Sequence, residues 1–393
     1  MKNRIKELSQ DFFNEAIKIR RHLHKYPELS FKEVETSAFI CSQLDHYGIS
    51  YKKGYVENGI IARIEGKNPN KKVIAIRADM DALPIIEKNG LDFASNNEGI
   101  MHACGHDVHM TCLLGASFIL NKLKNEFEGT IILIFQPGEE LLPGGAKQML
   151  EEGIFKDVVP EAILALHVQP DILSGVVGFR PGKYMASNDE MYITVKGKGG
   201  HGAMPHKLVD TVLLASHLIV SLQQIVSRGT EAGIPTVLSF GKLIANGATN
   251  VIPDEVSIEG TFRTMDETWR KEAHKRILHM ATYLTKSMGG ACDIEIRNGY
   301  PALVNNEFLT KRSQKLAKEY LGEDKVLDLD VRMTSEDFAF FSQKFPACFY
   351  RLGVGFPEES EPAGLHSPGF KVNEDALETG VGLMAWLGLN ILK

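Results

Sequence analysis

The sequence lacks the features that mark extracellular, membrane-spanning or nucleic-acid-binding proteins. Its five cysteines are an odd number in a chain of 393 residues, which argues against a disulfide framework. No stretch approaches the roughly 18 consecutive apolar residues that a membrane span needs. Basic residues are scattered and the formal net charge is −6, so we expect neither a nucleic-acid nor a membrane partner.

The N-terminal segment 1–21 also lacks the uninterrupted apolar core of a signal peptide. Its apolar residues, among them Ile5, Leu8 and Phe12, recur at helical spacing with charged residues between them. The pattern predicts an amphipathic helix. We therefore expect the protein to be cytoplasmic.

The order of predicted elements indicates one domain inserted into another. The chain is 44% hydrophobic and 24% charged, as in a soluble globular protein, and its length suits two domains. Strands alternate with helices in residues 1–186 and again in 301–393, which predicts an α/β domain. We expect a mainly parallel twisted sheet with helices on both faces, forming the catalytic domain. Residues 187–300 predict a smaller α+β domain of about four strands and two helices.

Acidic and imidazole side chains follow directly after several predicted strands. They are Asp81 after Val73–Ile76, Glu139 and Glu140 after Thr130–Phe135, and His167 after Ala162–Leu166. In parallel sheets with helices on both faces, ligands bind beyond the carboxyl ends of the strands. The sequence therefore predicts a functional site at this edge of the sheet.

Cys104 and His106 form the strongest local cluster, separated by one glycine just before a predicted helix. Thiolate and imidazole are both transition-metal ligands, and glycine lets the backbone bend so that both face one point. A buried cysteine beside surface histidines is the alternative interpretation. The crowding of His102, His109 and Asp107 around the pair favours a metal site.

Glu139 and Glu140 are predicted to leave the end of a buried strand. On an extended chain adjacent side chains point to opposite sides, so one carboxylate could bind metal while the other serves as general base. An exposed acidic turn is the alternative. His167 and His366 would each be read alone as structural histidines, and they gain weight only as members of the set.

Other candidate residues have two open interpretations each. Asp79 and Asp81 could orient a metal ligand, or could be turn and capping residues. In the inserted domain, His201 lies between glycines, which favours an exposed functional role. Asn250 lies in a loop, and Arg263 ends an apolar strand, where it could bind a carboxylate or form a surface salt bridge.

Motifs spread over nearly the whole chain resemble the M20 metallopeptidase superfamily, in its aminoacylase-like amidohydrolase branch. This branch includes hippurate hydrolases, indole-acetyl-amino-acid hydrolases and N-acetyl-amino-acid deacetylases. The matching segments, in family order, are Arg20–Ser30, Arg77–Pro84, Met101–Asp107, Phe135–Glu140, Gly199–Gly202, Thr334–Phe338 and Leu365–Pro368.

The resemblance implies a site for two divalent metal ions, either Mn²⁺ or Zn²⁺, with Co²⁺ and Ni²⁺ also compatible with the donors. The implied ligands are Cys104, which would bridge the ions, His106, Glu140, His167 and His366. The other implied roles are Glu139 as general base, Asp81 beside the metals, and His201, Asn250 and Arg263 as substrate-binding residues. Asp79 receives no role, because better-known relatives carry a histidine ligand there.

The expected reaction is hydrolysis of the amide bond of a small N-acyl-L-amino acid by a water that the two ions activate. The resemblance also implies a homodimer formed through the inserted domain, and pairing of dimers into tetramers stays open. A dipeptidase or carboxypeptidase of the same superfamily is the first alternative, although no acidic anchor for a free α-amine is identifiable. A non-catalytic metal- or ligand-binding protein is the second, although no implied ligand and no base is missing.

Overall fold

The computed structural model describes all residues, 1–393. The helices are α1 (Lys2–Lys25), α2 (Val34–Tyr47), α3 (His106–Lys122), α4 (Gly145–Glu151), α5 (Thr211–Leu222), α6 (Glu267–Ser287), α7 (Glu307–Leu321), α8 (Ala339–Ser342) and α9 (Ala376–Ile391). The first strands are β1 (Tyr51–Tyr55), β2 (Gly59–Glu65), β3 (Val73–Asp79), β4 (Thr130–Gln136), β5 (Ala162–Leu173), β6 (Val177–Phe179), β7 (Gly182–Met185) and β8 (Asp189–Lys196). The others are β9 (Gly200–His201), β10 (Thr236–Ile244), β11 (Val251–Ile252), β12 (Glu255–Thr264), β13 (Ala291–Asn298), β14 (Leu303–Asn305), β15 (Val326–Asp328) and β16 (Ala347–Gly355). No helix has both the length and the apolar composition that crossing a bilayer requires.

The chain divides into two compact units. The larger consists of Met1–Gly182, Val304–Asp330 and Asp337–Lys393, and the smaller of Lys183–Leu303 and Val331–Glu336. These bounds differ by a few residues from the predicted ones at 186/187 and 300/301. Segment 331–336, which we predicted in the larger domain, belongs to the smaller unit because its backbone bonds there. Ala186 N donates to Arg332 O, and Arg332 N donates to Tyr184 O.

The larger unit is built on an eight-stranded sheet in the order β1-β2-β4-β3-β5-β16-β6-β15. Its central pairs, β4 with β3, β3 with β5 and β5 with β16, are parallel. Antiparallel pairs join β1 with β2, β2 with β4, and β6 with β16. Every residue of β3 and β4 is buried, as expected of strands covered on both faces. The predicted α/β fold class is confirmed.

The smaller unit contains a four-stranded antiparallel sheet in the order β10-β12-β8-β13. Burial alternates along β8, because one face of the sheet packs against helices α5 and α6. A buried ion pair ties α6 to β8. Arg270 Nη2 lies 2.5 Å from Asp189 Oδ1, and His274 Nε2 lies 2.8 Å from Asp189 Oδ2.

Candidate metal centre

Imidazole, thiolate and carboxylate groups of the larger unit converge beyond the parallel strands at the centre of its sheet. Asp79 is the last residue of β3, and β4 ends at Gln136, shortly before Glu139. His167 lies within β5, which continues past its predicted end to Leu173. The carboxyl-terminal edge is where sheets of this kind bind ligands.

The loop from Cys104 to His106 approaches β5 so closely that only glycine fits at its centre. Gly105 has a φ of +79°, in the left-handed region, and a Cβ there would lie 2.4 Å from Val168 Cγ2. Helix α3 starts at His106, directly after this glycine. The close approach brings Cys104 Sγ to 3.4 Å from His167 Nε2.

The protein fixes the ring orientation of two histidines through one nitrogen of each. His106 Nδ1 donates to the backbone carbonyl of Asp81 at 2.9 Å, and His167 Nδ1 donates to Val168 O at 2.8 Å. Each ring therefore turns its Nε2 toward the neighbouring candidate ligands, as metal-binding histidines commonly do. His366 has a φ of 60°, its amide donates to Ala103 O, and its Nε2 lies 3.3 Å from Cys104 Sγ.

Two groups of three candidate ligands share the thiol of Cys104. The first is Cys104, His106 and His167, and the second is Cys104, Glu140 and His366; within each group the ligand atoms lie within 4.8 Å of one another. Four-coordinate ions with bonds of about 2.0–2.3 Å place their ligand atoms about 3.3–3.8 Å apart. The distances from Cys104 Sγ, 3.4 Å to His167 and 3.3 Å to His366, are close to this range.

Two buried polar atoms at this site have no hydrogen-bond partner in the protein. Neither His106 Nε2 nor Glu140 Oε1 has a hydrogen-bond partner. Glu140 Oε1 lies 3.0 Å from His366 Nε2, but the two atoms do not have hydrogen-bond geometry. Two ligand atoms of one metal ion would lie close together in this way. One thiolate, three imidazoles and a carboxylate suit transition-metal ions. The residues therefore fit a pair of divalent cations.

The carboxylates around the thiol of Cys104 would also favour a bound cation. Burial, together with the charge of Glu140 and other carboxylates, raises the pKa of the Cys104 thiol well above its usual range. Burial alone would lower the pKa of His106, but the nearby carboxylates outweigh it and raise that pKa to about 10. A positive ion between these groups would favour the thiolate and the neutral imidazole, the forms that bind metal.

Glu139 and Glu140 lie in a turn rather than on an extended chain, because β4 already ends at Gln136. The expectation that they point to opposite sides of a strand was wrong. Glu139 is 6% exposed, and its carboxylate lies within 4.8 Å of ligand atoms of His106 and Glu140. Asp81 Oδ2 accepts from the amide of Glu140 at 2.9 Å. Glu139 is therefore positioned beside the candidate ligands.

Asp79 is fully buried, and both of its carboxylate oxygens are engaged. Oδ2 accepts from Arg77 Nη1 at 2.6 Å, and Oδ1 accepts from His109 Nδ1 at 2.5 Å. His109 Nε2 in turn accepts from the amide of Val168, so the proton of its neutral ring lies on Nδ1. His109 thus has no free ring nitrogen for a metal, whereas Asp79, whose oxygens each keep a second lone pair, lies within 4.8 Å of ligand atoms of both His106 and His109.

Arg77 and Asp337 were not singled out from the sequence, although both lie in motif segments. They form a buried ion pair at 2.7 Å, and both side chains are at most 1% exposed. A usable signal was present: Arg77 is a charged residue inside the apolar strand β3. Buried charges are rarely tolerated without a partner, so its position indicates an internal ion pair.

The remaining candidate residues belong to the smaller unit. His201 on β9 pairs with Val251 on β11, and the carbonyl of the preceding Asn250 accepts from the amide of Gly202 at 2.8 Å. His201 and Asn250 are therefore neighbours, and both are exposed. Arg263 lies on a different strand, β12, where it is partly buried and donates to Met333 O at 3.1 Å. Burial lowers the pKa of its guanidinium.

Comparisons with known proteins give consistent results. The sequence pattern described as Peptidase family M20/M25/M40 matches residues 75–388. The chain is 39% identical over 363 residues to the N-acetyl-L-cysteine deacetylase of Bacillus subtilis, covering 92% of this chain and 85% of the relative. It is 35% identical over 383 residues to thermostable carboxypeptidase 1 of Saccharolobus solfataricus, covering 97% and 95%. The crystal structure of Bacillus subtilis YXEP, a dinuclear metal-binding peptidase of the M20 family, superimposes with a TM-score of 0.82 at 33% identity, covering 98% and 99%.

Proposed function

The chain belongs to peptidase family M20/M25/M40 and is a hydrolase of amide bonds, and from this we propose that it hydrolyses N-acyl-L-amino acids. The family and the reaction class predicted from the motifs are confirmed. One observation carries the proposal. Two groups of candidate ligands share the thiol of Cys104, and the carboxylate of Glu139 lies beside them. The N-acetyl-L-cysteine deacetylase among its relatives supports the choice of substrate class.

The proposed cofactor is a pair of divalent cations, and a dinuclear relative of similar structure supports it. The residues that would hold them are Cys104, His106, Glu140, His167 and His366. When bound, such ions polarise a carbonyl and lower the pKa of a water molecule toward neutrality. The donors suit Zn²⁺, Co²⁺ or Ni²⁺ by softness, and Mn²⁺ is retained from the resemblance. Elemental analysis of protein purified without chelator identifies the native metal.

Glu139 takes the role of general base in this scheme. Its carboxylate accepts the proton of the attacking water and then delivers it to the leaving amine. Asp81 acts on its neighbours, because its carbonyl orients the ring of His106 and its carboxylate holds the amide of Glu140. A base beside the ligands and a fixed ligand geometry are what water-mediated amide hydrolysis requires.

We assign substrate binding to His201, Asn250 and Arg263 of the smaller unit. A guanidinium forms two parallel hydrogen bonds with a carboxylate, and every N-acyl amino acid carries one. Arg263→Ala should therefore raise KM more than it lowers kcat, and steady-state kinetics measure the two separately. A homodimer formed through the smaller unit, with or without pairing into tetramers, stays a prediction that light scattering tests, and a cytoplasmic location stays one too.

The deciding experiment is a substrate panel with metal depletion and replacement. Acetyl-, benzoyl- and other acyl-amino acids are assayed beside dipeptides, after chelation and again after adding Mn²⁺ or Zn²⁺. We expect turnover of acyl-amino acids that is lost on chelation and restored by metal. Turnover that survives complete metal removal contradicts the proposed mechanism.

A carboxypeptidase or dipeptidase is the second candidate, because thermostable carboxypeptidase 1 is 35% identical over nearly the whole chain. The two candidates differ in the group on the acyl side of the scissile bond. A peptidase of this kind prefers an aminoacyl group to an acetyl or benzoyl group. A higher kcat/KM on dipeptides than on matched acyl-amino acids would favour this candidate.

A further inference from the structure

Arg77 is a buried cation that joins three parts of the larger unit. It is 1% exposed and donates from all three guanidinium nitrogens. Nη1 donates to Asp79 Oδ2 at 2.6 Å, Nη2 to Asp337 Oδ1 at 2.7 Å, and Nε to Gln136 Oε1 at 2.9 Å. One planar group thus fixes the ends of β3 and β4 relative to the segment that begins at Asp337.

Asp337 is held from several directions. Gln136 Nε2 donates to both carboxylate oxygens, at 2.9 and 2.7 Å, and the amide of Ala146 donates to Oδ2 at 2.9 Å. Together with Arg77, these donors favour a single orientation of the Asp337 carboxylate. Its backbone amide then donates to Glu139 Oε1 at 3.2 Å. The orientation of Asp337 is passed to Glu139 through this bond.

The turn that carries Glu139 is fixed independently of its side chain. The amide of Gly138 donates to Glu33 Oε1 at 2.8 Å, and the carbonyl of Gly138 accepts from the amide of Gly145 at 2.8 Å. These two hydrogen bonds hold the backbone before Glu139 in place. The bond from the amide of Asp337 acts on the remaining freedom, the side-chain torsions that aim the carboxylate.

We propose that Asp337 is a positioning residue for Glu139, and that Arg77 fastens Asp337 and Asp79 to one guanidinium. The inference rests on the proposed function, in which Glu139 is the general base. A base must lie within hydrogen-bond reach of the proton it removes, so a restraint on its carboxylate raises kcat without touching the substrate. Arg77 also keeps Asp79, and through it His109 and β5, at a fixed distance from this restraint.

A purely structural ion pair makes a different prediction. It would stabilise the fold, and its loss would lower stability whatever residue stands at position 139. A positioning role requires that the loss act through Glu139. The two explanations are therefore separated by a double-mutant cycle.

The test replaces the carboxylate of Asp337 with an amide of the same shape. Asp337→Asn should lower kcat by about 10–100-fold, the usual effect of changing an outer residue that orients a reacting group. Metal content and KM should stay close to wild type, because Asp337 belongs to neither ligand group that shares Cys104. In the Glu139→Gln background the same substitution should lower the residual kcat no further, since there is no base left to aim.

The matched control is Asp189→Asn in the smaller unit, which also breaks a buried aspartate–arginine pair. It should lower stability, as the loss of a buried ion pair does, but leave kcat unchanged. If Asp337→Asn does not fold, Gln136→Met keeps the charges of Arg77 and Asp337 paired while removing two restraints on Asp337. Its kcat should fall as well, with metal retained.

Three results overturn the inference: an unchanged kcat, a loss of metal, or an equal fall in kcat with and without Glu139. The assay uses whichever amide the wild-type protein hydrolyses. Activity on dipeptides alone would overturn the proposed substrate class. The double-mutant cycle, assayed on dipeptides, would still decide the role of Asp337. A wild-type protein inactive on both classes overturns both proposals.

Discussion

At the scale of single residues, the histidines differ in how many ring nitrogens the protein engages. His106 and His167 each donate through Nδ1 to a backbone carbonyl, which leaves Nε2 directed at the neighbouring candidate ligands. His109 uses both nitrogens, Nδ1 for Asp79 and Nε2 for the amide of Val168. A saturated ring has no lone pair for a metal. His109 is therefore a structural residue despite its place among the candidate ligands.

Glu139→Gln should abolish most turnover while the protein keeps its metal. An amide cannot accept the proton of the attacking water, so kcat should fall by about 10²–10⁴-fold. Metal content measured by elemental analysis should not change, because neither ligand group that shares Cys104 includes Glu139. Glu126→Gln, at an exposed glutamate, is the control and should behave as wild type. Near-normal turnover of metal-loaded Glu139→Gln would refute the role of general base.

Local sequence singles out some candidate site residues and leaves the partners of others open. Cys104 and His106 could be proposed as ligands because their chemistry and spacing are contained in three consecutive positions. The role of Asp79 could not be identified, because its partner His109 lies thirty residues along the chain. Tertiary packing decides which carboxylate forms an internal ion pair.

At the scale of elements, the turn between β4 and α4 depends on a very close approach of backbone to backbone. A Cβ on Gly145 would lie 1.7 Å from the carbonyl oxygen of Pro137, a distance that no side chain can occupy. The amide of Gly145 also donates to Gly138 O. The start of α4 is thereby held against the turn that presents Glu139.

Gly145→Ala should destabilise the protein and disturb the site together. The added methyl must push α4 away from Pro137, at a cost of about 1–3 kcal/mol in the free energy of unfolding. Thermal unfolding measures this loss, and kcat should fall because the turn moves. Gly241→Ala is the matched control, since a Cβ at Gly241 meets nothing within 4 Å. Equal melting temperatures for the two variants would contradict the expectation.

Continuous apolar runs predicted β3 and β4 because buried parallel strands have that pattern. The geometry of the Glu139–Glu140 pair was predicted wrongly for a local reason. Pro137 and Gly138 end the strand, so the alternation of an extended chain no longer applies. Helix α3 begins before its apolar pattern does, because its first turn carries polar site residues.

At the scale of the whole molecule, stability should depend on pH through the buried carboxylate of Asp189. Burial opposes ionisation, but His274 and Arg270 outweigh it and hold the pKa of Asp189 below its usual value. A lowered folded-state pKa stabilises the fold above the ordinary pKa of about 3.9, and this stabilisation is lost as the pH falls through the folded value.

Asp189→Asn should therefore cost about 3–5 kcal/mol in the free energy of unfolding at pH 7, since it leaves Arg270 buried without its counter-charge. Urea titrations at several pH values measure the difference from wild type. The difference should be constant from pH 7 to about pH 5 and shrink below about pH 4. A difference that grows on acidification would show that the pKa of Asp189 is not lowered.

Metal removal should lower the thermal stability of the whole chain. An ion that binds only the folded protein stabilises it by about 2.7 kcal/mol at one hundred times its dissociation constant. In calorimetry, a chelator should lower the Tm of wild-type protein by several degrees. Cys104→Ser, which loses the thiol shared by both groups, should have a low Tm that the chelator does not change.

The inserted unit could be predicted because about a hundred residues changed from one strand–helix pattern to another. Segment Val331–Glu336 could not be assigned to it, because a few residues have no periodicity of their own. Its place depends on backbone bonds of Arg332 to residues far earlier in the chain. The pattern of strands and helices thus predicts the compact units, whereas long-range backbone hydrogen bonds decide where each unit begins and ends.

The shared thiol also has a consequence for synthesis on the ribosome. Cys104, His106 and His167 are all translated before the smaller unit, whereas His366 completes the group of Cys104 and Glu140 only after it. At about 5–20 residues per second, the intervening chain takes about 10–40 s to make. The nascent chain therefore carries one group of three candidate ligands well before the other group is complete.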